Sequence, residues 1–137
     1  MMQRYFIDTF YLIALSNARD QSHPRAMAFA QSLEDFHLYT VDEVLGEYLT
    51  FFSTGRPHVR EEAANTVMMI MADPDMTVIP QSRTSFEDGL QFYAARLDKH
   101  YSYADCVSMV TMRREGLTEV LTNDHHFAQE GLRILFP

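Results

Sequence analysis

Short apolar runs at residues 4–7, 36–40, 77–79 and 120–122 are separated by helical patterns rather than hairpin turns, and this alternation constrains the fold most strongly. The helical patterns cover 9–16, 23–33, 41–52, 59–71, 85–98 and 103–115, and a fifth strand-like run falls at 132–135. Strands reached through a helix pair in parallel, and right-handed crossovers carry the helices onto the faces of the sheet. The expected fold is an α/β three-layer α/β/α sandwich, Rossmann-like, with a central parallel sheet of four to five strands. Helix 23–33 starts after Ser22 with Pro24 in its first turn and carries Ala26, Phe29, Ala30 and Leu33 at helical spacing. It is expected to form a helical hairpin with helix 9–16.

The alternation runs through 137 residues without a linker, a repeat or a low-complexity tract, so a single domain over 1–137 is expected. No stretch approaches the roughly 20 apolar residues of a membrane span. The opening MMQRYFIDTF sets Asp8 where a signal sequence carries its apolar run, and a lone Cys106 permits no internal disulfide. A cytoplasmic location is the expectation that follows. The net charge of −8 excludes a nucleic-acid binder that works through a broad basic surface. Small basic groups at Arg56, His58 and Arg60, at Lys99 and His100, and at Arg113 and Arg114 read as solvated faces. Lys99, His100 and Arg4 lie near the acids in sequence and are candidates for a basic rim.

In parallel α/β sheets, ligands sit beyond the carboxyl ends of the strands. Asp8 directly follows the first strand, and Asp124 lies two residues beyond the fourth in VLTND. Glu47 lies in the helix after the second strand, and Asp105 in the first turn of the helix leading to the fourth. Each of these acids also has a structural reading. Asp8 and Asp124 suit helix N-caps, Ser102 with Asp105 fits a close relative of the capping box, and Thr40 with Glu43 fits the box itself. Glu47 is too deep in its helix to cap it. At about 100° per residue it falls at the rim of the apolar stripe of Val44, Leu45, Tyr48 and Phe52, with Glu43 pointing further away. Glu47 is therefore the candidate site residue and Glu43 the cap.

The order FIDTFYLIAL, TVDEVLGEYLTFF, LDKHYSYADCVSMVTMRREG and VLTNDHHFAQEGLRIL resembles a PIN domain over essentially the whole chain. The resemblance implies a divalent-metal-dependent nuclease that hydrolyses phosphodiester bonds in RNA, as in the VapC-type ribonuclease toxins of toxin–antitoxin pairs. It implies catalytic and metal-binding roles for Asp8, Glu47, Asp105 and Asp124. Ser102, Thr9 and Thr122 would be supporting hydroxyl residues, and Asp98 a supporting acid. An antitoxin on a separate chain and a homodimer are the partners it implies, beside the RNA substrate.

The chemistry is consistent with that pattern. Carboxylates crowded together repel and raise one another's pKa, and a divalent cation removes the conflict. Hard oxygen ligands suit Mg²⁺ or Mn²⁺. Asp8 and Asp105 are expected as central ligands, with Asp124 and Glu47 binding directly or through water. His125 and His126 beside Asp124 are not read as a zinc site, because no Cys or third His is spaced to complete one. Met68, Met69, Met109 and Met112 are core filler or a partner-binding face, which exposure would separate. Two other functions compete. An aspartyl-phosphate phosphatase would also want Asp after the first strand, but it usually has a second Asp two residues on, where this chain has Phe10. A non-catalytic RNA-binding or assembly module would keep the fold, and four intact acids argue against it.

Overall fold

A computed structural model describes the chain from Met1 to Pro137. Its elements follow the order β1 (Gln3–Ile7), α1 (Thr9–Ser16), α2 (His23–Ser32), β2 (Phe36–Val41), α3 (Asp42–Phe51), α4 (Pro57–Ala72), β3 (Met76–Ile79), α5 (Arg83–Ala94), α6 (Tyr103–Glu115), β4 (Glu119–Leu121), α7 (His126–Gln129) and β5 (Arg133–Ile134). All five strands are parallel in the order β3-β2-β1-β4-β5. The chain moves outward from β1 to β3, then crosses back to β4 on the other side of β1. Right-handed connections running in opposite directions cover both faces with helices, giving the three layers expected.

The central pair β1 and β4 is buried because helices cover both of its sides. Phe6, Ile7, Val120 and Leu121 are fully enclosed, with Ile7 opposite Leu121. Tyr11, Tyr48, Met109, Met112 and Phe127 fill the space between sheet and helices. Helix α6 is buried along most of its length through Cys106, Val107, Ser108, Met109, Thr111 and Met112. It stops at Gly116, whose φ of 69° is the left-handed geometry of a helix C-terminus. Helix α5 reaches α6 closely at Gly89, where a Cβ would lie 2.7 Å from Cγ2 of Val107. Met109 and Met112 are thus core filler, whereas Met68 and Met69 are 61% and 73% exposed. No helix is long and apolar enough to cross a membrane.

Several local expectations need correction. Thr40 does not cap α3: its hydroxyl donates across the sheet to the carbonyl of Ile7 at 2.9 Å, and Val41 occupies the cap position without a side-chain bond. Helix α5 begins earlier than residue 85, at a capping box between Ser82 and Ser85, and ends at Ala94 rather than 98. The four-residue helix α7 is additional. Arg4 lies on the first strand's exposed start and donates to the carbonyl of Glu115, which ends the helix leading into β4. It therefore belongs to the sheet edge opposite Asp8 and cannot rim the acids. Lys99 lines a separate small hollow with Tyr93, Arg96 and Tyr101.

Candidate active site

The carboxyl ends of β1 and β4 open into a cleft of about 880 Å³. Asp8, Glu47, Asp105 and Asp124 all line it, together with Thr9 and Ser102. The strand order explains the convergence. β1 and β4 are neighbours although more than a hundred residues separate them, so the residues just past their ends share one edge. Helices α3 and α6 begin at the same edge and supply Glu47 and Asp105.

Each carboxylate accepts a hydrogen bond from a nearby residue. The fully buried Thr122 hydroxyl donates to Oδ2 of Asp8 at 2.7 Å and accepts from the Asp124 main-chain N–H at 3.1 Å. Thr9 donates to Oε1 of Glu47. The Ser102 N–H donates to Oδ2 of Asp105 at 3.0 Å, and the Asp105 N–H returns a bond to the Ser102 hydroxyl, closing the capping box. The His126 N–H donates to Oδ1 of Asp124 at 2.9 Å. Asp105 therefore caps its helix and faces the cleft as well. Asp8 stands at the cap position of α1 yet makes no side-chain cap bond, because its carboxyl turns to Thr122.

The two helix α3 glutamates differ from the helical-wheel expectation. Glu47 is exposed at the cleft and gains its bond from Thr9, while Glu43 is half-buried with Oε2 unpartnered. Burial, and secondarily the neighbouring Asp42 charge, pushes the Glu43 carboxyl upward. The wheel considers one core face, whereas α3 packs against α1, α4 and α6 as well as β2. Asp98 is exposed in the segment after α5 and does not line the cleft. His126 does line it and was not among the candidate residues; its signal was its place two residues after Asp124.

Electrostatics mark the cleft as strained. Burial pushes the Asp8 carboxyl from 3.8 up to about 7, with the Asp105 and Glu47 charges adding to the rise and the Thr122 and Thr9 bonds opposing it. Asp105 is also raised, first by burial and then by the charges of Asp124 and Glu47. No lysine or arginine lines the cleft to relieve this repulsion. The donor set consists of hard oxygens with one imidazole, and ligand atoms of Asp105, Asp124 and His126 lie within 4.8 Å of one another. Such a set fits a small divalent cation.

Two comparisons with known proteins bear on this fold. The sequence model of the PIN domain family matches residues 5–130. Among solved structures, the chain is similar to VapC20 of Mycobacterium tuberculosis, a sarcin–ricin loop cleaving toxin, with 24% identity, both chains covered in full and a TM-score of 0.83. It is similar to FitAcB from Neisseria gonorrhoeae, at 15% identity and a TM-score of 0.64, over 98% of this chain and 96% of that one. VapBC2 from Rickettsia felis, bound to a DNA fragment from its promoter, gives 13% identity and a TM-score of 0.64 over 97% and 98%. No curated protein sequence matches significantly. With the family match spanning nearly the whole chain, and the acids gathered past the ends of two adjacent parallel strands, the chain belongs to the PIN domain family.

Proposed function

We propose that the protein is a divalent-metal-dependent endoribonuclease, the toxin of a toxin–antitoxin pair. The observation that carries this reading is the convergence of Asp8, Glu47, Asp105 and Asp124 on one cleft that no lysine or arginine lines. Asp8 and Asp105 would be the central ligands of an Mg²⁺ or Mn²⁺ ion, with Asp124 and Glu47 binding directly or through water. When bound, the ion supplies Lewis acidity, lowering the pKa of water and neutralising charge on a phosphodiester. The protein's part is to hold the ligands in place beforehand. Thr122, Thr9, the Ser102 N–H and the His126 N–H each fix one carboxylate, so little reorganisation remains when substrate arrives. In the hydrolysis, the oxygen of water forms a new bond to phosphorus while the leaving oxygen departs with a proton.

The partner reading rests on relatives whose structures are toxin–antitoxin complexes, namely FitAB bound to a DNA fragment and VapBC2 with promoter DNA. An antitoxin protein on a separate chain and a second copy of this chain are the proposed partners. RNA as substrate is supported by the similarity to a sarcin–ricin loop cleaving toxin. Asp98 has no role in this reading beyond its effect on nearby Arg96 and Tyr101.

The decisive experiment incubates the purified protein with labelled RNA and Mg²⁺ or Mn²⁺. Cleavage stops with EDTA and resumes when either ion is restored in excess. Asp105→Asn, which keeps an oxygen to accept the Ser102 N–H, abolishes cleavage while its circular dichroism is unchanged. Cleavage that persists in EDTA or in that variant overturns the assignment. A second expectation concerns affinity. Because no lysine or arginine lines the cleft, the logarithm of the RNA binding constant falls with the logarithm of salt with a slope shallower than about −2, as for a protein neutralising few phosphates. Fluorescence anisotropy between low and moderate salt checks it, with a slope near −5 as the contrary result.

A further inference from the structure

His126 opens the short helix α7, and its ring turns back over the cleft. Its Nδ1 lies 3.3 Å from Oδ1 of Asp124 and 3.8 Å from Oδ2 of Asp105. That nitrogen is buried from solvent and has no hydrogen-bond partner. A buried ring nitrogen left unpaired between two carboxylate oxygens is costly unless something occupies the space between them. The ring packs against Tyr101 at 5.2 Å between centroids, and the His126 main-chain N–H is bonded to Asp124.

The spacing itself is informative. Ligand atoms about 2.1 Å from a shared six-coordinate ion lie about 3.0 Å apart when adjacent and about 4.2 Å apart when opposite. The two distances from Nδ1 fall between those limits. The three ligand atoms come from different positions in the chain but from one edge, Asp105 from α6 and the other two from the turn into α7.

We infer that His126 is a nitrogen ligand of the cleft's divalent ion, and that it sets the ion preference toward Mn²⁺ over Mg²⁺. The inference rests on the metal-dependent reading above and adds a residue and a selectivity to it. Imidazole binds Mn²⁺ and the later transition ions readily, whereas Mg²⁺ favours oxygen ligands and retains its water. With Nδ1 on the ion, the ring carries its proton on Nε2.

The test measures dissociation constants rather than turnover. Wild-type protein, His126→Phe and His126→Asp are titrated with MnCl₂, following the free Mn²⁺ resonance, and with MgCl₂ by competition. His126→Phe keeps an aromatic ring against Tyr101 and removes the nitrogen, so it is expected to weaken Mn²⁺ at least tenfold and Mg²⁺ by less than threefold. His126→Asp offers oxygen in place of nitrogen and is expected to shift the preference back toward Mg²⁺. Electron spin-echo spectra of the Mn²⁺-loaded wild type should show modulation from a directly bound ¹⁴N, absent in both variants. That spectrum stands on its own should either variant fold poorly. Mn²⁺ binding without ¹⁴N modulation, or one ion preference shared by all three proteins, overturns the role of His126 and leaves the carboxylate site standing. A wild-type protein that binds neither ion overturns both.

Discussion

Asp8→Asn gives a metal-free protein that melts higher than the wild type at pH 8, by on the order of 5–10 °C, while its cleavage of RNA is lost. The sign follows from the direction of the shift. Burial raises the Asp8 carboxyl from 3.8 to about 7, so the folded chain holds that proton more tightly than the unfolded chain does. Stability in the absence of metal therefore falls as pH rises from about 4 to about 7, and stays reduced above. A shift of about three units sets a ceiling of about 4 kcal/mol, of which roughly 2–3 kcal/mol is expected to be recovered by a neutral amide of the same shape. Thr122 still has an oxygen to donate to. Calorimetry in EDTA at pH 8 and near pH 4 checks the prediction, since the gap between the two proteins should narrow at the lower pH. Saturating Mn²⁺ should reverse their order, because only the wild type gains binding energy in the folded state. A variant that melts below the wild type at pH 8 in EDTA would show that the Asp8 charge is not strained.

Glu130→Ala is expected to cost about 2–3 kcal/mol and to weaken metal binding although Glu130 does not line the cleft. Its carboxylate is only 5% exposed and accepts from Arg96 at 3.0 and 3.1 Å, from Arg113 at 2.8 Å and from the Tyr101 hydroxyl at 2.8 Å. Bonding to Arg96, with help from Tyr101 and Arg113, holds this carboxyl below its usual range despite its burial. Its contribution is therefore present above the ordinary carboxylate range and lost as pH falls through the lowered value. The cost stays below that of a fully buried pair because Arg96 and Arg113 are 31% and 50% exposed and can turn to water. Tyr101 is the link to the site: it precedes Ser102 and packs on His126. Loss of Glu130 frees both the start of α6 and the turn into α7, so urea unfolding and Mn²⁺ affinity should fall together. Glu130→Gln, which retains the shape, separates the charge from the packing. Unchanged Mn²⁺ affinity in the alanine variant would show that the network is only structural.

The fold was legible because its signal is long-range and repeated. Each strand-like run is followed by a helix, and that pattern leaves few sheets to choose from. Asp8 and Asp124 could be placed together before any coordinates, since the ends of β1 and β4 share an edge whenever the sheet is parallel and doubly wound. The local contacts were less accessible. Thr40 looks like a cap in sequence and is instead a rung between β2 and β1, because its hydroxyl meets the Ile7 carbonyl before the helix begins. Glu43 and Glu47 were ordered by a wheel that knows one neighbour, whereas α3 packs against α1, α4, α6 and β2. Helix α7 is one turn long and offers no periodicity. His126 stands two residues from Asp124 in sequence, but its approach to Asp105 becomes visible only when α6 and the β4 end are placed side by side.

The absence of lysine and arginine from the cleft lining also bears on the order of events. Four acids and no ammonium or guanidinium group make a bare pocket that repels a polyanion. If the chain is the metal-dependent ribonuclease proposed above, the cation would enter before the nucleic acid, and its release would expose product to the same repulsion that kept substrate out. On the proposed function, the kinetic expectation is ordered addition, with cation before RNA.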